Sequence, residues 1–440
     1  MQYLRYHLRR DDLSPFDILD ASSPRFFWAE PGSEDAWAGT GAEARLTGSG
    51  AGKFQQIKRD AAEVLSQVVD LNPAPVPNRL FGGFSFTPTL DSVDWSGFTA
   101  AEFILPRLQV TRLDGETWLT ICRRAGAGVT LETLAAEARA VRPVDVSAPA
   151  GLSHLCDATS YDEWAAMVTG GVHEIRNEKM CKVVLARARA AQFDGALNPL
   201  HPLVTLNQNY PNTFRFLFAP YGQKTFLGAT PELLARVERG ELFSVALAGS
   251  VGRGKTPAEA EALAAELLSS TKDRHEHALV VGAIRHGLEP LTAQLDIPNV
   301  PGIRRLANIQ HLETPIRGRL AAGYGALDVV AALHPTPALG GVPRQPALEF
   351  IAANEPTARG WYAAPIGWLD ANGDGTFAVA IRSALLEGDR ALLYAGAGIV
   401  DGSDPAKEWQ ETELKFKPLM DALTGSPVAQ YARTMSLAHV

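Results

Sequence analysis

Residues 390–414 read RALLYAGAGIVDGSDPAKEWQETEL, and Lys415 follows. Gly396 and Gly398 let backbone amides approach an anionic group, because no Cβ stands in the way. Asp404-Pro405 is a helix start: a capping carboxylate, then proline at the first helical position. Glu408, Glu411 and Lys415 come next at offsets of three and four, which puts them on one helical face. Two carboxylates and an ammonium beside a glycine-rich turn suit a Mg²⁺-dependent site for a carboxylated small molecule. The same spacing also occurs on solvated helices that carry intrahelical ion pairs.

Outward from this stretch, the bulk properties narrow the field. The 440-residue chain is 46% hydrophobic and 20% charged, enough apolar material for a large core and too much for a disordered chain. A net charge of -8 argues against a nucleic-acid surface. The three cysteines, Cys122, Cys156 and Cys181, form no CxxC pair, which fits a reducing cytoplasm. The N-terminus lacks the apolar core of a signal peptide and no 18-residue apolar run occurs, so a cytoplasmic protein with no membrane partner is expected.

Residues 72–78 and 142–151, rich in proline, read as loops. Residues 103–108 and 117–121 alternate like strands of an antiparallel sheet. Beyond residue 160 the pattern is mixed. A helix is predicted over 160–179, strands over 182–190, 213–218 and 233–238, and a long helical region over 256–287, opened by the capping box Thr256-Pro257-Ala258-Glu259. A hairpin is expected between 376–386 and 390–394. This irregular order predicts an α+β fold, with a β-rich portion over 1–150 and a catalytic portion over 160–425 in one structural domain.

Several side chains outside the opening stretch suit chemistry. Lys182 shares a strand face with Val184 and Ala186, and apolar surroundings disfavour a charged amine, which suits a general base. A strand-end lysine that snorkels to water is the plainer account. Glu232, after Thr230-Pro231 and among apolar residues, could stay protonated near neutral pH and act as an acid; it could equally be an exposed turn glutamate. Asp273 and Glu276 sit three apart on a predicted helix. A hard Mg²⁺ ion takes oxygen ligands and keeps several waters, so Glu276 and Glu411 are the expected direct ligands, with Asp273 and Glu408 acting through water. His275 and His277 lack the further ligands that zinc would need. Arg382, on an apolar strand, offers a two-point fork for a carboxylate.

Taken together, Ala395-Gly396-Ala397-Gly398-Ile399-Val400, Ser403-Asp404-Pro405 and Glu408-x-x-Glu411-Thr412-x-x-Lys415 resemble the C-terminal signature of chorismate-utilizing enzymes. That family includes isochorismate, salicylate, anthranilate and aminodeoxychorismate synthases. The resemblance spans about residues 160–425, and upstream it is best seen in Phe81-Gly82-Gly83-Phe84-Ser85-Phe86. It implies two large facing antiparallel β-sheets with helices packed outside and the active site in a cleft. It also implies that Lys182 activates water, where ammonia-using members carry glutamine, and that Glu232 protonates the departing C4 hydroxyl of chorismate. Arg382, Tyr362, the backbone at Gly396 and Gly398, and Lys415 would hold the enolpyruvyl carboxylate. Gly249-Ser250, against the family's Gly-Thr, and His311 would lie beside the ring, and Mg²⁺ would bind the ring carboxylate. Residues 333–343, LHPTPALGGVP, resemble the isochorismate-forming version of this loop through Ala338 and Leu339, and Ala248 stands where aminodeoxychorismate synthases have a nucleophilic lysine. The resemblance thus implies isochorismate formation by a monomer without a glutamine amidotransferase subunit. Salicylate formation, by later loss of pyruvate, is the alternative.

Overall fold

The computed structural model describes residues 2–19, 24–143, 151–221, 224–305 and 309–425. Its spine is a long ribbon in which Ala36–Gly48 pairs with Ala101–Leu113 along almost its whole length, with an irregularity between Ala42 and Ala44. Each end of the ribbon seeds a different sheet. At one end Arg25–Ala29 pairs with the ribbon, and the ladder runs on through Phe214–Ala219, Lys224–Thr230, Ser383–Glu387 and Arg390–Ile399 to Lys182–Phe193. At the other, Arg79–Phe84 pairs with residues 101–104, followed by Pro365–Asp370, Gly375–Val379, Leu233–Glu238, Glu241–Gly252 and Ile309–Leu320. Among the described residues every pairing is antiparallel except Tyr3–Arg9 with Val68–Asp70.

The two layers face each other across an aromatic core: Phe26 of the first stacks on Phe81 of the second, with ring centroids 4.0 Å apart. Strand alternation sorts the side chains. Phe214, Phe216 and Phe218 enter that core, whereas Leu217 and Ala219 meet the outer helices. The helices Leu200–Asn209 and Pro405–Thr424 cover the outer face of the first layer with Leu203, Leu206, Phe416 and Leu419. Against the second layer pack Thr271–Leu288 and Ala326–Leu333, through Val280, Ile284, Leu327 and Val330. The α+β fold of two facing antiparallel sheets with helices outside is the one expected from the sequence.

Local signals explain the elements near the site. Tyr161–Arg176 starts at a reciprocal Ser160/Glu163 capping box and buries Trp164, Met167, Val168 and Val172 at helical spacing. At Pro405–Thr424, Asp404 Oδ1 accepts from the amides of Ala406 and Lys407 at 3.1 and 3.0 Å, and Gly425 closes the helix in the left-handed region. Two expectations change. The helical region 256–287 divides into Pro257–Ser269 and Thr271–Leu288, because Ser270 leaves helical geometry and caps the second helix with its hydroxyl. The expected strand 376–386 is interrupted after Val379, and only Ser383–Glu387 forms the hairpin with Arg390–Ile399. Arg382 therefore sits in a junction with φ +51, not on a strand. Residues 72–78 are a loop, and 144–150 of the second expected loop lie outside the described residues.

Candidate active site

The floor of the site is the pairing of Lys182–Phe193 with Arg390–Ile399, which sets Val184 opposite Gly398 and Ala186 opposite Gly396. Both glycines make room for a neighbour. A Cβ on Gly398 would lie 3.1 Å from Lys182 Cε, and one on Gly396 would lie 3.1 Å from the Tyr362 hydroxyl. Lys182 Nζ donates to Glu276 Oε1 at 2.6 Å, with side-chain exposures of 7% and 22%. Its setting is thus not purely apolar, as the sequence had suggested, but includes a carboxylate from the facing helix. Lys415 Nζ donates to the Gly396 carbonyl at 2.7 Å and to Glu411 Oε1 at 2.6 Å. Burial lowers the proton affinity of Lys415, and Glu411 opposes that effect.

Glu232 leaves the end of Lys224–Thr230, its backbone fixed by an N–H bond to Thr230 Oγ1 at 3.2 Å and by the Val379 amide on its carbonyl at 3.0 Å. Burial pushes its carboxyl up to about 7, against the pull of Lys182, Lys415 and Arg382. A small cavity beside it is walled by Leu233, Leu234, Val280, Ile284 and Ala338. Burial also disfavours the charge on Arg382, which feels Tyr362, Glu411 and Glu232. Among the described residues nothing hydrogen-bonds its guanidinium, so the fork is open to a ligand. Tyr362 is buried, stacks on Tyr394 at 5.1 Å and has its phenol held above the usual range by burial.

At the rim, Gly249 takes φ +73 in a bulge between Ala248 and Ser250, and a Cβ there would lie 3.2 Å from Asp273 Cβ. Ser250 Oγ and His311 Nδ1 are 2.7 Å apart across the ladder. Burial and the nearby cations Lys415, Arg382 and Arg304 bring His311 down to about 4, so it is neutral at physiological pH. Leu339 is buried and Ala338 is half-buried, in a loop whose Gly341–Val342 segment pairs with Val183 and Lys182.

Four acids come from two helices. Asp273 and Glu276 lie on Thr271–Leu288, and Glu408 and Glu411 on Pro405–Thr424. Asp273 accepts from the Ser270 hydroxyl as part of its helix cap. Glu276 and Glu411 are each paired with a lysine. Glu408 is raised by burial and by Glu411, and it also feels Lys272 at the start of the other helix. Among the described residues no three histidine, cysteine or acidic side chains converge into a closed metal cluster. As a donor set, carboxylates from two helices suit a hard cation that keeps waters of its own. His277 is buried on Thr314 Oγ1 at 2.7 Å while His275 is exposed, so the two do not act together.

Two arginines that shape this site had no assigned role in the sequence. Arg187 Nε donates to Thr412 Oγ1 at 2.7 Å, Nη1 reaches Asp157 at 2.8 Å, and the guanidinium lies over Trp409, tying the helix of Glu408 and Glu411 to the strand of Lys182. Arg359 is paired with Glu355, and their four-residue spacing in Glu355-Pro356-Thr357-Ala358-Arg359 was the available signal.

The profile of chorismate binding enzymes matches residues 2–424. The chain belongs to that family. The salicylate biosynthesis isochorismate synthase of Pseudomonas aeruginosa is 39% identical over 428 residues, covering 94% of this chain and 88% of that protein. The isochorismate synthase MenF of Bacillus subtilis is 35% identical over 442 residues, covering 96% and 93%. Among solved structures, the menaquinone-specific isochorismate synthase MenF from Escherichia coli superposes with a TM-score of 0.81 at 28% identity, covering 96% of this chain and 94% of that one. Anthranilate synthase component I of Streptococcus pneumoniae, with a TM-score of 0.74 at 21% identity, shares the fold. Among the described residues no helix is long and apolar enough to cross a membrane.

Proposed function

We propose that this chorismate-binding enzyme interconverts chorismate and isochorismate. The observation that carries the proposal is a carboxyl pushed up to about 7, Glu232, that feels the charge of Lys182 on the strand Lys182–Phe193. Lys182 takes a proton from water, whose oxygen bonds to C2 of the ring. The two ring double bonds each move one position, the C4–O bond breaks, and Glu232 gives its proton to the leaving hydroxyl. Water enters and water leaves, so the reaction is an isomerisation with no redox change. Base action needs Lys182 as a free amine, which can still donate an N–H to Glu276 while its lone pair faces the water.

Arg382, with its fork unoccupied by protein, and Tyr362 would take the enolpyruvyl carboxylate, with the amides at Gly396 and Gly398 and the charge of Lys415 beside it. Ser250 and neutral His311 would border the ring. Mg²⁺, held by Glu276 and Glu411 directly and by Asp273 and Glu408 through water, would orient the ring carboxylate and offset its charge. Ala338 and Leu339 give the loop apolar side chains at these two positions, the basis for release of isochorismate before pyruvate loss. Lys182, in place of a residue suited to ammonia, favours water as nucleophile.

The test is product analysis by chromatography over time. Purified enzyme with chorismate and Mg²⁺ should approach the same chorismate–isochorismate mixture from either side, and added ammonium should yield no anthranilate. Stoichiometric salicylate and pyruvate would replace this reading with the lyase reaction.

A further inference from the structure

The edge of the strand Lys182–Phe193 is covered in two places: by Gly341–Val342 at Val183 and Lys182, and by Leu152–Asp157 from Arg189 onward. Between them the Val184 amide still donates to the Gly340 carbonyl at 2.9 Å, but the Val184 carbonyl and the Ala186 amide have no backbone partner. The gap is filled by side chains. Arg359 Nη2 donates to the Val184 carbonyl at 2.6 Å, and Glu355 Oε1 accepts from the Ala186 amide at 2.7 Å. The two side chains also hold each other in a two-point pair, Nε to Oε2 at 2.8 Å and Nη2 to Oε1 at 2.5 Å, with exposures of only 3% and 5%. Arg359 Nη1 then reaches across to the carbonyl of Leu339 at 2.8 Å. Its guanidinium lies 4.3 Å from the ring centre of Phe86, so its flat face is covered as well.

One rigid guanidinium thus spans two segments with different tasks: the strand that carries Lys182 and the loop that carries Ala338 and Leu339. A lysine could meet one or two of these acceptors but not all of them in a fixed plane. We propose that the Arg359–Glu355 pair is a positioning device, which fixes the spacing between the Lys182 strand and the Leu339 loop and so keeps water, ring and base in reacting geometry. The inference rests on the chorismate reading of the site. Misplacement of a reacting group by about 1 Å can cost a factor of about 10² in rate even when the altered residue is remote from the chemistry. Neither Arg359 nor Glu355 touches substrate in this account, so the signature is a loss in kcat with little change in KM.

The experiment compares full-length Arg359→Lys and Glu355→Gln with the wild type. Turnover is counted as chorismate consumed per molecule of protein that elutes as folded chain and has the wild-type circular dichroism. The expected result is a kcat reduced by about ten- to a hundredfold with the chorismate KM within about threefold, in at least one variant. A purely structural pair would lower the folded fraction and leave kcat of the folded molecules unchanged. That result, or failure of both variants to fold, would overturn the proposal by assigning the pair to the fold alone. Products of the wild type are assayed in parallel. Salicylate or anthranilate there would remove the isochorismate reading, while the kcat comparison, blind to product, would still judge the pair.

Discussion

The acid–base pair makes the first test. Lys182→Ala and Glu232→Gln should each lower turnover by about 10² to 10⁴, the usual contribution of a positioned proton transfer, with chorismate binding largely kept. Near-normal kcat in either variant would remove that residue from the chemistry. Glu232 also gives a pH dependence with a definite sign. Its carboxyl titrates at about 7 in the fold, against an ordinary value of 4.5. The protonated acid is thus depleted as pH rises through about 7, and kcat should fall on that limb. The folded state binds this proton more tightly than the unfolded chain, so the group's contribution to stability is present below about 4.5 and lost as pH rises through about 7. Glu232→Gln should flatten this loss, which thermal melts at pH 5 to about 8 would reveal. Gly398→Ala probes space and not charge. The added methyl would lie 3.1 Å from Lys182 Cε and would displace that amine, so turnover should drop by about tenfold or more while the melting temperature barely moves. Unchanged turnover would mean that Lys182 tolerates displacement and is not held for catalysis.

Among the elements, the decisive pair is Thr271–Leu288 and Pro405–Thr424, which present the four acids. Activity should vanish with a chelator and return with Mg²⁺, and Glu411→Gln should raise the Mg²⁺ concentration needed for half-maximal rate. Full activity in metal-free buffer would take the metal out of the mechanism. The second of these helices was legible in the sequence because its cap, proline and periodicity are all local. The first was legible only in part. Thr256 and Glu259 announce a helix start, but Ser270 has no glycine or proline beside it to signal a break, and it divides the segment by capping Asp273 of the next helix. Arg382 was misplaced for a related reason. The apolar run before it reads as a strand that continues, whereas its backbone turns to φ +51 so that its carbonyl can accept from the Ala229 amide at 3.1 Å. That bond joins residues 153 positions apart in the chain, by simple subtraction of their numbers, and no window of sequence contains both partners. The same limit hid the bonds of Arg359 to Val184 and Leu339, whereas its pair with Glu355, four residues before it, lay within a short window.

Over the whole molecule, strand positions were easier to read than strand neighbours. Residues 103–108 and 117–121 read as strands from their own composition, but that says nothing of which strand lies alongside. The pairings cross the chain repeatedly: Arg25–Ala29 lies against Phe214–Ala219, and Arg79–Phe84 lies against Pro365–Asp370. Each sheet therefore takes strands from both sides of residues 144–150, and Phe26 and Phe81, both from the N-terminal portion, stack between the layers. Removing residues 1–150 would strip Phe214–Ala219 and Pro365–Asp370 of one neighbour each and open the aromatic core to water. Burial of one large apolar side chain is worth about 1.5–3 kcal/mol, so loss of Phe26, Phe27, Trp28, Phe81, Phe84 and Phe103 together, about 9–18 kcal/mol, is as large as the roughly 5–15 kcal/mol by which a domain is stable. The full chain should then melt in a single calorimetric transition, and a chain beginning at residue 151 should lack cooperative unfolding and activity. A soluble 151–440 fragment with its own sharp transition would show that the catalytic portion folds alone, and that the N-terminal strands are an addition to the domain and not half of its framework.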